Sequence, residues 1–300
     1  MKQIDPRQLR IFLEVCRQGS ISGAARELNL AQPSVSVAIG QLERSIGTRL
    51  FQRSRTGILL ERSGIVLRRR AEAMDNLLAN ASAELALLEQ EVAGPLVIGG
   101  TPGALASMVP AATIRLKERH PRVEIRILER PDANLIDLLR NERIDLAIVT
   151  TGIEAMPDDI IEEAVLQDPF DLIVGSRNDH LPHAVTLASV ADLPWVLPDA
   201  VGAFRRQIDA LFVSTETQTP RDVVRCDSLL TTKAIVRNSD YVTILPREVA
   251  AAELSVGVLR AVRIVGVGFG RTVGFLRLAT RLPTPIAEAF MRVTREIDQA

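Results

Sequence analysis

Between Arg62 and the Gly94-Pro95 pair the chain contains no proline and one glycine, Gly64. At 1.5 Å per residue that stretch predicts a helical rod of about 45 Å. Along it Leu67, Ala71, Met74, Leu78, Ala81, Leu85, Leu88 and Val92 alternate at spacings of four and three, an apolar seam of four heptads. A rod of this length cannot bury its own stripe, so it either lies on a globular body or pairs with a second copy. A sustained seam between two separate bodies predicts pairing, and the small Ala71 and Ala81 predict that other contacts add to it. The rod thus divides the 300 residues into a head, 1–62, a linker helix, 63–93, and a body, 94–300.

Charge separates the two ends. Residues 1–70 hold 13 Lys and Arg against 5 Asp and Glu, whereas the remainder holds 23 against 32. A basic head on an acidic body is the electrostatic footprint of a nucleic-acid binder. With aromatics at only 3%, single-stranded stacking platforms are disfavoured. No apolar run nears the roughly 20 residues that cross a bilayer, and the start, Met1 to Pro6, lacks a secretory signal, so a cytoplasmic location without membrane partners is expected. Two distant cysteines, Cys16 and Cys226, support neither a disulfide framework nor a zinc site, and no metal or cofactor is expected.

In the head, Leu9, Phe12, Leu13 and Cys16 predict a helix over 6–18 that ends at Gly19. Ser20 is placed to cap a second helix, 21–28, whose Ala24-Ala25 pair allows close approach. A third carries Pro33 in its first turn and buries Val35, Ile39, Leu42 and Ile46 before Gly47. Its outward face presents Gln32, Pro33, Ser34, Ser36, Val37 and Gln41, a set suited to base edges and phosphate oxygens. Residues 49–60 then read as two short strands around a turn, a wing whose Arg49, Arg53 and Arg55 suit the phosphate backbone; the plainer alternative is a solvated basic hairpin.

The run Leu9, Phe12, Val15, Gly19-Ser20, Ala24-Ala25, Leu28, Gln32-Pro33-Ser34-Val35-Ser36, Ile39, Leu42-Glu43, Gly47, Leu50-Phe51, Arg53, Leu60 and Gly64 resembles the winged helix-turn-helix of LysR-type transcriptional regulators. Three positions depart from that family: Val37 where Arg is frequent, Ala31 where Ser or Thr commonly opens the recognition helix, and Glu61 where Thr commonly follows the leucine. Val37 shifts which bases are read, since it suits a thymine methyl group. The resemblance implies a homodimer or homotetramer on double-stranded DNA, with RNA polymerase a further candidate partner.

Beyond Gly94 short apolar runs alternate with helical stretches, predicting an α/β body with mainly parallel sheets covered on both faces. Strands are expected at 96–100, 123–128, 145–150, 160–166, 172–174, 195–197, 223–225, 242–245, 264–267 and 273–278. Helices are expected at 104–119, 133–141, 204–212, 228–238, 247–253 and 284–298. By the same resemblance this is a two-lobe effector domain like periplasmic solute-binding proteins, with lobe I at 95–166 and 270–300, lobe II at 167–268, and crossings near 167–169 and 267–271 aided by Gly266, Gly268 and Gly270. A small-molecule effector, with an organic acid as the candidate class, is then expected between the lobes. By position at strand ends and helix N-termini, Thr101, Pro102, Gly103, Arg130, Thr151, Phe204, Arg205 and Ser228 are its candidate contacts, the hydroxyls as donors to a carboxylate and the arginines as its counter-charge.

Catalysis finds no footing. His120, His180 and His183 make no site, and Gly99-Gly100-Thr101-Pro102-Gly103 lacks both the Lys-Ser/Thr of a P-loop and the spacing of a dinucleotide turn. Two alternatives stand beside the regulator. One is a redox-sensing regulator acting through Cys226, although the adjacent Asp227 does not favour a reactive thiolate. The other is a cytoplasmic solute-binding protein, which the basic head opposes.

Overall fold

Caps fix the start of the first two helices. In the computed structural model, which describes residues 4–54, 57–88, 95–199, 202–266 and 270–298, the Asp5 carboxylate accepts the Arg7 N–H at 2.8 Å to open α1 (Pro6–Gln18). Ser20 Oγ likewise accepts from Gly23 N–H to open α2 (Ile21–Glu27). The third helix, α3 (Gln32–Ile46), starts at Ala31 without a side-chain cap and stops at Gly47, whose φ of +81° is left-handed. Phe12, Ala24, Val35, Leu42 and Leu50 meet in a fully buried centre. Strands β1 (Phe51–Ser54) and β2 (Gly57–Leu60) then pair antiparallel, as expected of a wing.

The rod is α4 (Arg62–Leu88), and its seam is divided. Ala71 is buried and Leu67 and Met74 pack against the same core as Phe12, so the first three seam positions serve the chain's own head. Leu77 and Leu78, next along the helix, are half exposed. Residues 89–94, including Val92, lie outside the described residues. The chain forms two compact units, one of residues 1–90 with 140–143 and one of the rest.

The second unit contains two sheets. The first runs β4-β3-β5-β13-β6, from β3 (Leu96–Gly100), β4 (Ile125–Glu129), β5 (Leu146–Thr150), β6 (Ile160–Asp168) and β13 (Arg271–Leu278). It packs with α5 (Pro102–Arg119) and α10 (Pro285–Asp298) around Leu96, Ile98, Phe275 and Phe290, while α6 (Asp132–Arg140) contributes Leu135 and Leu139 to a second cluster. The other sheet runs β10-β9-β11-β7-β12-β8, from β7 (Phe170–Val174), β8 (Ala184–Val185), β9 (Trp195–Leu197), β10 (Val223–Arg225), β11 (Val242–Pro246) and β12 (Arg260–Ile264). Its core gathers Trp195 with Leu211 and Phe212 of α7 (Ala203–Ser214), and Val236 of α8 (Leu229–Asn238) packs in a neighbouring cluster.

Both sheets are mixed, which corrects the mainly parallel expectation. Strand β7 runs antiparallel to β11 and β12, and β13 runs antiparallel to β5 and β6. The physical reason is the crossing: each of these strands begins where the chain has just come over from the other lobe, and so enters its sheet from the opposite end. The expected strand 264–267 is instead β12, four residues earlier, and β8 was not foreseen. The expected helix 247–253 is a 3₁₀ turn, Arg247–Ala250, followed by the short α9 (Ala251–Ser255). A β-bulge falls at Val273/Gly274, where a Cβ on Gly274 would overlap the Glu163 carbonyl.

Candidate functional site

On α3 the buried Val35, Ala38, Ile39 and Leu42 leave the opposite face open. Gln32, Pro33, Ser34, Val37 and Gln41 are exposed there and Ser36 is half-buried. Val37 is 56% exposed, so its methyl groups are free to meet a partner. Gln41 Oε1 accepts from Gln8 Nε2 at 3.1 Å, which leaves its own amide N–H₂ to donate. Glu43, on the other side of the helix, accepts the Leu50 N–H at 2.8 Å and the Phe51 N–H at 3.4 Å, pinning the start of the wing to α3. Phe51 is further held by a ring contact to Phe12 at 5.2 Å. Arg53 lies on β1, its side chain outside the described residues, and Arg55 is outside them altogether.

Between the two sheets of the second unit lies a cavity of about 290 Å³. Thr101, Pro102, Gly103, Arg130, Phe204 and Arg205 all border it. Thr151 and Ser228 do not: Thr151 is buried with its hydroxyl donating to the Thr272 carbonyl at 3.3 Å, and Ser228 accepts the Thr231 N–H as the cap of α8. Arg205 is braced by Asp209 at 2.8 Å and by the Pro198 carbonyl at 2.9 Å, and Arg130 Nη1 donates to the Glu129 carbonyl. Cys226 and Asp132 also border the space. Asp132 Oδ2 accepts the Ala203 N–H at 3.2 Å, so a carboxylate of one lobe caps α7 of the other, whose own Gly202 has no side chain to do so.

The sequence reading missed Arg271, which also borders the cavity. Arg271 opens β13 opposite Asp168, the last residue of β6, and both are fully enclosed. Their side chains pair at 2.6 Å; Ser107 Oγ donates to Asp168 at 2.6 Å, and the Glu248 N–H donates to its other oxygen at 3.2 Å. Burial lowers the guanidinium's pKa from its ordinary value, and the Asp168 carboxylate opposes that. Two charged residues 103 positions apart carry no periodic signal, so only the strand pairing brings them together. Among the described residues no trio of His, Cys, Asp and Glu is grouped to hold a metal, and no helix is long and apolar enough to cross a membrane.

The family model for bacterial regulatory helix-turn-helix proteins of the lysR family matches residues 6–64, and that for the LysR substrate binding domain matches residues 89–298. The chain belongs to the LysR family. Among its relatives is the HTH-type transcriptional regulator TdcA of Escherichia coli (strain K12), 30% identical over 80% of this chain and 76% of that protein. Among solved structures, CbnR complexed with its target DNA superposes with a TM-score of 0.73 at 19% identity, over 98% of this chain and 99% of that one. Full-length OxyR from Pseudomonas aeruginosa, carrying one substitution, does so with a TM-score of 0.72 at 21% identity, over 98% and 96%. Like other members of the LysR family, the protein is a DNA-binding transcriptional regulator with an effector-binding domain. The match over residues 6–64 sets aside the reading as a plain solute-binding protein.

Proposed function

We propose that this regulator acts as a homodimer or homotetramer in the cytoplasm, reading a two-fold-related duplex site with α3 and the wing, and that a small molecule in the interlobe cavity changes the spacing of the paired heads. In this reading residues 1–62 read DNA, 63–93 pair the chains, and 94–300 bind the effector, with RNA polymerase as the downstream partner and no chemistry performed. Gln32, Pro33, Ser34, Ser36, Val37 and Gln41 meet the bases and sugar-phosphate edges, while Arg53 and Arg55 hold the backbone beside them. The observation that carries the effector half is the cavity itself, a concave, largely apolar space between two lobes with two helix N-termini on its wall. Its test is a thermal-shift screen of the full chain against small organic acids, sugars and amino acids, where a binder at 100 times its Kd adds about 2.7 kcal/mol. A hit abolished by Thr101→Ala and Phe204→Ala supports the cavity; a hit indifferent to both moves the site elsewhere. One observation favours a second reading: Cys226 borders the same cavity, so a Cys226→Ser protein that no longer responds to oxidant makes that thiol the sensor.

A further inference from the structure

The guanidinium of Arg271 is unevenly served. Nη2 donates to the Asp168 carboxylate at 2.6 Å, to the Gly103 carbonyl at 3.2 Å and to Ser107 Oγ. The Nε N–H is buried with no hydrogen-bond partner, although the residue is 1% exposed and borders the cavity. An orphaned donor on a buried charge is costly, and native structures rarely tolerate one without a use. Asp168 does not need the whole guanidinium, because Ser107 Oγ and the Glu248 N–H also donate to its carboxylate oxygens.

A second feature faces the same space. Thr101, the N-cap of the 18-residue α5, makes no side-chain cap bond, so its hydroxyl and the positive end of that helix are open to a negative oxygen. The rim arginines are held elsewhere, Arg205 by Asp209 and Pro198, Arg130 by the Glu129 carbonyl. Val196, Leu197, Phe204, Leu229, Leu245 and Val249 give the same cavity an apolar lining. Glu129, Asp132 and Asp227 border the cavity as well and repel a second carboxylate. At about 290 Å³ the space lies at the small end of ligand pockets and suits a compact molecule.

We propose that Arg271 is the carboxylate anchor of this cavity, and that the effector is a compact monocarboxylate whose acid group meets Arg271 and the N-terminus of α5 while its apolar body lies against Phe204 and Leu245. The proposal rests on the reading of the cavity as the effector site. It also places the anchor on the two strands through which the chain passes between lobes, since Asp168 and Arg271 are register partners at those crossings.

The test uses the full chain and matched pairs of acid and carboxamide: benzoate and benzamide, cyclohexanecarboxylate and its amide, hexanoate and its amide. Melting temperature reads binding, and protection of Cys226 from iodoacetamide, a neutral reagent, reads occupancy of the cavity whatever the probe's charge. The expected result is that an acid raises Tm and protects Cys226 while its amide does neither. Arg271→Lys is expected to weaken that acid at least about tenfold. Should Arg271→Lys fail to fold, Gly103→Ala serves instead, because its Cβ would stand 2.7 Å from Arg271 Nη1 and displace the guanidinium; circular dichroism verifies its fold. Amides that protect Cys226 as well as acids, unweakened binding in both variants, or no acid that shifts Tm each overturn the anchor. Acids that raise Tm without protecting Cys226 overturn the cavity reading beneath it.

Discussion

Removing one side chain of the Asp168–Arg271 pair leaves the other an enclosed charge without its partner. Arg271→Met is therefore expected to lower the unfolding free energy of the effector domain by about 3–5 kcal/mol, measured by urea denaturation; a loss below about 1 kcal/mol would mean that Asp168 finds water or a proton instead. Cys16 gives a second expectation. Burial pushes its thiol up to about 11 from 9.0, with the Arg68 charge pulling the other way. The folded head thus holds this proton more tightly than the unfolded chain does. The resulting stability is fully present below about pH 9 and is lost as pH climbs through about 11, a slope that Cys16→Ala should remove in denaturation curves taken across that window. The exposed residues of α3 were legible because a helical period separates outside from inside within fifteen positions. Thr151 and Ser228 were misleading for the opposite reason: a polar residue in a loop looks free until the partner, the Thr272 carbonyl or the Thr231 N–H, is known.

At the scale of elements, α3 begins with an omission. Ala31 has the extended backbone of an N-cap, φ −67° and ψ 138°, but no side-chain acceptor to cap with. Ala31→Ser should stabilise the head by about 1 kcal/mol and raise its melting temperature by about 4–8 °C; an unchanged Tm would show that the helix start is already satisfied by other means. The seam of α4 was visible in spacing, yet spacing does not name the partner, and Leu67, Ala71 and Met74 turned out to complete the head. Strand direction was similarly hidden. An apolar run such as Phe170–Val174 reads alike in a parallel or antiparallel ladder, and its direction follows from which lobe the chain has just left. The two-residue β8 is too short to show any period.

For the whole molecule the lobes are joined by more than their crossings. Asp132 caps α7 across the cavity, and Glu154 pairs with Arg206 at 2.7 Å on the exposed side. The exposed pair adds little, so Asp132 is the stronger link, and Asp132→Ala should raise the rate of Cys226 alkylation about fivefold, the factor carried by roughly 1 kcal/mol; an unchanged rate would mean that access to the cavity does not depend on that bond. On DNA, Gln32→Ala should narrow the affinity gap between specific and random duplexes, whereas Arg53→Ala should weaken both and reduce the salt slope by about one; equal losses on both duplexes for Gln32→Ala would remove its base-reading role. The sequence by itself determined the basic winged head, the long helix after it, the α/β body and the LysR resemblance, because each is written in local period, capping and charge. Tertiary structure alone decided the mixed direction of the sheets, the three seam positions that pack into the chain's own head, and the buried Asp168–Arg271 pair with Asp132 across the cavity, because these depend on which distant segments lie side by side and local pattern carries no record of that.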